Sequence, residues 1–197
     1  MRGRGVTRAQ RFLVLAVCLG ALPACGAGQY GFAKEYAPLK DEASYDSAST
    51  EFVYEDVTGD PAAYDGKQIA WFGVVQKLAL TDDGRYRIEL SHHKHQPRHL
   101  CTSDADDSCR VTVHYDSVGD FTALVKLKVE DTVPGLDKVQ PGTLLRVFGK
   151  VRCHLNEDER QECEHDDAGG VVLDVAYYRQ WPARYYATSR AAASMKR

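Results

Sequence analysis

Only one long hydrophobic run occurs in the 197-residue chain, from Phe12 to Leu22, and no second one follows it. It is about half the roughly 20 residues a helix needs to cross the hydrocarbon core, so a lasting transmembrane helix is not expected. The sequence also lacks a serine elbow, a zinc-helix histidine pair, a phosphate loop and a recognisable cysteine nucleophile. No enzymatic activity, catalytic residue or cofactor is therefore expected. Paired carboxylates are so common in this acidic chain that no pair stands out. Excess positive charge is missing too. Residues 1–24 hold four of the 25 basic residues and none of the 28 acidic ones, which leaves 21 against 28 and a formal charge of −7 for the remainder. Nucleic acid is excluded as a partner on this ground, because phosphate neutralisation by Lys and Arg supplies most of that affinity.

What is present begins with Arg2, Arg4, Arg8 and Arg11 ahead of the apolar run, the pattern of a signal peptide over residues 1–24. Leu22-Pro23-Ala24-Cys25 ends the run and resembles the lipobox of bacterial lipoproteins. The resemblance implies that Cys25 becomes the first residue of the mature chain and carries the lipid. Several acyl chains, at about 0.8 kcal/mol per buried methylene, make a stable anchor where one would be marginal. The membrane is thus an expected partner through the anchor. Gly26, in place of Asp, implies sorting to the outer membrane of a Gram-negative cell envelope.

Six cysteines are present. Cys18 leaves with the signal and Cys25 is lipidated, so Cys101, Cys109, Cys153 and Cys163 remain. An even remainder in an oxidising compartment reads as two disulfides. Three pairings are open. Cys101 with Cys109 and Cys153 with Cys163 are favoured, since each pair brackets a polar, acidic segment between strands. Closing such loops contributes roughly 2.5 to 3 kcal/mol each.

Residues 25–60 are short of aliphatics and rich in Ala, Ser, Asp and Glu, a composition that buries too little to order itself. They read as a flexible acidic tether, with Phe52 and Tyr54 docking its last part. Residues 61–182 read as an all-β domain. Ile69 to Leu80 is a long strand with Gly73 at its middle, and Thr81-Asp82-Asp83-Gly84 carries the Asp-Gly hairpin signature. Tyr86, Ile88 and Leu90 alternate with Arg85, Arg87 and Glu89. Val111, Val113 and Tyr115 repeat the pattern, as do Phe121, Ala123, Val125, Leu127 and Val129. A helical turn is expected at 136–139, a second long strand with a central Gly149 at 144–155, and a closing strand at 171–178. Two long strands each broken by a glycine favour a small OB-like β-barrel. The tail, 183–197, is polar and reads as a fraying helix.

Asp60-Pro61 through Val75, with Tyr64-x-Gly66-Lys67 leading into an aromatic and glycine strand, resembles the start of the Slp outer-membrane lipoproteins. Gly119-Asp120-Phe121, Pro141-Gly142 with Val147-x-Gly149, and Tyr177-Tyr178-x-x-Trp181-Pro182 follow in similar order. The likeness spans most of 60–182 and departs from the family around His92 to Cys109 and in the second cysteine pair. It implies an envelope lipoprotein of stress or surface function without an enzymatic activity to carry over.

Three constellations are candidates for binding. His92, His93, His95 and His99 lie beside Cys101 and Cys109 and offer imidazole and thiolate for zinc or copper, although their spacing matches no compact zinc motif. Asp104, Asp106 and Asp107, and separately Asn156 to Glu159, lack the spacing and glycine of the twelve-residue calcium loop and read as solvated tips. Arg85, Arg87, Lys126, Lys128, Arg146 and Lys150 are expected to face outward on neighbouring strands, as a basic surface of the kind on which OB barrels bind oligosaccharides. Tyr177, Tyr178, Trp181, Tyr185 and Tyr186 are expected to seal one barrel end. The function expected is an anchored, non-enzymatic binding or scaffolding module for an envelope protein or glycan. Binding of a glycan or small ligand on the basic face is one alternative, and periplasmic metal handling is another.

Overall fold

The computed structural model describes residues 32–96, 98–101, 110–135, 137–155, 161–166 and 170–190. In chain order the elements are β1 (Phe32–Glu35), α1 (Lys40–Ala48), α2 (Tyr54–Gly59), β2 (Ile69–Leu80), β3 (Tyr86–His92), β4 (Arg98–Cys101), β5 (Val111–His114), β6 (Gly119–Val125), β7 (Leu144–Val151), β8 (Cys153–Leu155), β9 (Gln161–Cys163), β10 (Val172–Trp181) and β11 (Tyr186–Ser189). Single 3-10 turns occur at Pro61–Tyr64, Val129–Asp131 and Ala183–Tyr185.

Five strands close into a barrel in the order β10-β6-β3-β2-β7. Counting barrel strands along the chain, the first pairs with the second and fourth, the third with the second, and the fifth with the third and fourth. The third and fifth, β6 and β10, run parallel while every other barrel pair is antiparallel. This is the OB connectivity, and it bears out the expected all-β barrel. Period-two alternation explains the interior. Ile69, Trp71, Val75, Ile88, Leu90, Phe121, Ala123, Val147, Leu173 and Tyr178 form one buried cluster.

The glycines and the bulges are separate features, and the strand expected over 144–155 ends at Val151, with Cys153–Leu155 forming β8. The register shift in β2 lies between Val75 and Lys77, and that in β10 between Val175 and Tyr177. Gly73 and Gly149 instead mark places where strands press together. A Cβ on Gly73 would lie 2.9 Å from the Leu90 Cβ, and one on Gly149 would lie 2.7 Å from the Asp174 carbonyl oxygen. Gly84, at φ +78°, closes the β2–β3 hairpin, with its N–H donating to the Thr81 carbonyl at 3.0 Å.

Several expectations need correction. Residues 32–35, 40–48 and 54–59, read as tether, form β1, α1 and α2. The composition argument fails because their docking uses charge and aromatic rings more than aliphatics, although Phe52 and Tyr54 do pack on the core as expected. The Trp71 indole N–H also donates to the Phe52 carbonyl at 2.8 Å. No helix forms at 137–139, and the turn lies earlier, at Val129–Asp131, where Val129 is exposed. Tyr115 lies beyond β5 and is exposed. The tail contributes β11, which pairs in parallel with β5. Together β5 and β11 cover the outer face of β2, so that Phe72, Val111, Val113, Leu144 and Trp181 form a second buried cluster. This layer is why β2 is buried on both faces along its first half and does not alternate there.

The disulfide Cys153–Cys163 is present and staples β8 to β9 at directly opposed positions. Cys25 and Cys109 lie outside the described residues, so the second pairing does as well.

Candidate functional site

The strands β2, β3 and β6 carry a cleft of about 300 Å³ on the barrel's outer face. Its walls include Gln76, Lys77, Arg87, Glu89, Asp120, Thr122 and Asp166, over a base of Leu90 and Phe121. This is the sheet face on which OB barrels bind their ligands. The bulge after Val75 places both Gln76 and Lys77 at the rim. Asp166 reaches in from the β9–β10 connection, where it accepts hydrogen bonds from the Thr122 hydroxyl at 3.1 Å and the Gly170 N–H at 2.7 Å. The close packing of Gly170 fixes that connection, since a Cβ there would lie 2.4 Å from the Asp120 carbonyl oxygen. Tyr54 braces the same stretch of β6, donating its hydroxyl proton to the Asp120 carbonyl at 2.6 Å.

The cleft is not basic. Lys77 pairs with Glu89 at 3.0 Å and Arg87 with Glu164 at 3.1 Å. The expected basic surface is not formed by its six members. Arg85 is held by Asp83 at 2.7 Å and by Asp174 at 3.0 Å. Arg146 is largely buried against α1. Lys128 lies over the rings of Tyr177 and Tyr178, and Lys126 and Lys150 are exposed, Lys150 directly opposite Asp174. Carboxylates matched to each arginine account for the difference, and alternation cannot reveal them.

The histidines are structural where they are described. His92 is buried, with its Nδ1 2.9 Å from the Phe72 carbonyl oxygen and its ring stacked on Tyr54. Burial pushes its pKa down to about 4, against the opposing effect of the Phe72 carbonyl. His93 Nδ1 lies 2.9 Å from the His114 carbonyl oxygen, and His95 stacks on Phe72 with ring centroids 4.4 Å apart. Among the described residues no three His, Cys, Asp or Glu side chains converge on a metal position. His99 has its backbone in β4, opposite Lys34. Asp104, Asp106, Asp107 and Asn156 to Glu159 fall outside the described residues.

The aromatic group is divided among several tasks. Tyr178 belongs to the barrel core and donates to the Asp131 carboxylate; burial, followed by this bond, raises its pKa. Trp181 and Tyr186 pack in the outer cluster, Tyr177 stacks on Tyr45, and Tyr185 is exposed.

A second polar cluster had no sequence signal. Glu42 on α1 is fully buried and accepts from the Tyr36 hydroxyl, from the Leu39 N–H at 3.0 Å, and from Arg146 and Arg179 at 2.9 Å each. Asp46, one turn further along α1, also accepts from Arg146. Burial opposes ionisation of Glu42, but the combined hydrogen bonds, led by that of Tyr36, hold its carboxyl below the usual range. The guanidinium of Arg146 is sandwiched among Tyr36, Phe72 and Phe148, and that of Arg179 lies over Trp181.

No protein-family model matches this sequence, and no curated protein matches it.

Proposed function

We propose that this protein is a membrane-anchored, non-enzymatic lipoprotein of the outer membrane, whose OB barrel binds or scaffolds another envelope component in the β2–β3–β6 cleft. The observation that carries the reading is that this cleft stays open, whereas parts of the β2, β7 and β10 outer surfaces are covered by α1, β5 and β11. Its arginine and lysine are already matched by carboxylates, and the Asp120 side chain is exposed at its edge. A neutral polar glycan or a cation-bearing protein segment therefore fits better than a polyanion. The anchor rests on Leu22-Pro23-Ala24-Cys25 and its placement behind the apolar run, and the likeness to the Slp lipoproteins agrees with it.

Two measurements on one membrane extract test the reading. Intact mass is expected to give a chain starting at Cys25 with acyl chains and no free thiols after alkylation without reduction. Pull-down of envelope components is expected to weaken by about tenfold in Asp120→Arg, a loss of about 1.4 kcal/mol. An unlipidated mass overturns the anchor, and equal capture by the variant overturns the cleft.

A further inference from the structure

Glu42 is the only buried residue of α1. A nine-residue helix is marginal by itself in water, and this one has no basic residue in its last turn. What seats it is therefore the carboxylate set between two arginines, together with the Asp46 pair and the stack of Tyr45 on Tyr177 at 4.7 Å. The receiving side belongs wholly to the barrel. Arg146 on β7 and Arg179 on β10 are directly paired positions on adjacent strands, walled by Phe72, Phe148 and Trp181. Two neighbouring guanidiniums in a largely buried, aromatic-walled position require an anion, and their planar forks match a carboxylate. The Arg146 Nε is buried without a hydrogen-bond partner, so the pair retains a donor that Glu42 and Asp46 do not use.

We propose that Arg146 and Arg179 form a carboxylate-binding site that Glu42 fills in cis, and that an acidic segment of a partner protein fills in trans when α1 lifts away. The proposal goes beyond the cleft reading, because the site lies on β7 and β10 and not on β3 and β6. Displacement would free the segment from Tyr36 to Ala48 and couple partner engagement to the length of chain between Cys25 and the barrel.

The test uses the full chain in detergent and two probes, acetate and a labelled peptide of the Lys40–Ala48 sequence. Glu42→Ala removes the internal carboxylate. Its thermal midpoint is expected to fall and to recover with acetate, while chloride at equal ionic strength leaves it low. The peptide is expected to bind Glu42→Ala at least about tenfold tighter than it binds the unmodified chain, and a Glu-to-Gln version of the peptide to lose that gain. Equal effects of acetate and chloride, or equal peptide binding to both chains, overturn the proposal. If Glu42→Ala does not fold, amide exchange of the unmodified chain decides. Residues 40–48 are expected to exchange well before β7 and faster with the unlabelled peptide present, and exchange of both only through global unfolding overturns it. None of these readouts depends on cleft ligands or on lipidation.

Discussion

His92 shows how a single side chain is committed by its surroundings. It lies between Tyr54, Trp71 and Phe121, with the Phe72 carbonyl 2.9 Å from its Nδ1. Glu55 favours its charged form, while Lys94 and His93 disfavour it. Burial prevails and keeps the ring neutral down to about pH 4, against 6.5 for an unperturbed ring. The unfolded chain therefore binds a proton at this residue before the folded one does. The resulting stability is fully present above pH 6.5, falls as pH drops from there toward about 4, and changes little below that. The whole difference is on the order of 3 kcal/mol. Urea unfolding at a series of pH values is expected to show this decline, and His92→Phe to flatten it over that window even if the variant is less stable throughout. An unchanged slope in the variant would assign the decline to other groups.

At the scale of elements, the β8–β9 hairpin sits in the connection between the fourth and fifth barrel strands, and its disulfide joins residues ten apart in sequence. A closed loop of this size removes roughly 2.5 to 3 kcal/mol of unfolded-chain freedom. Changing Cys153 and Cys163 to Ala is expected to cost about that much in urea unfolding while leaving the far-ultraviolet circular dichroism of the barrel intact, since the barrel ladders do not involve β8 or β9. Loss of the β spectrum would instead make the bridge a condition of folding. The barrel strands were legible in the sequence because each faces a dry interior on one side, so alternation in Tyr86 to Leu90 maps onto burial, whereas Phe121 to Val125 alternates in sequence but is buried throughout. The layer of β5 and β11 over Phe72 was not legible, because a strand covered on both faces loses its alternation. The cleft was legible only in part. Arg87 was identified, but its partner Glu164 and the lining Asp166 come from a distant connection. Glu42 could not be found at all, since an acidic residue in an acidic segment carries no sign of being buried.

For the molecule as a whole, the segment ahead of the barrel belongs to the fold from Phe32 onward, where β1 pairs with β4. Val57 is fully buried in the barrel cluster, Tyr54 lies against Trp71, and the Phe52 carbonyl satisfies the Trp71 indole. A chain starting at residue 61 would expose what these groups cover. Burial of Val57 contributes about 1.5 to 3 kcal/mol, and an orphaned buried indole N–H costs about 1 to 3 kcal/mol. Arg146 and Arg179 would also stand side by side without their carboxylates, and an uncompensated charge in such a position is strongly unfavourable. The combined loss, on the order of 5 kcal/mol, is comparable with the entire stability of many domains. Residues 61–197 are therefore expected to unfold at much lower urea concentration than residues 25–197, or to be recovered only as aggregate, with tryptophan fluorescence reporting on Trp71 and Trp181 together. Equal midpoints for the two chains would return residues 36–60 to the role of a passive tether. A large difference would mean that residues 36–60 and the barrel fold as one unit, so that pulling on the segment ahead of the barrel acts directly on the barrel wall.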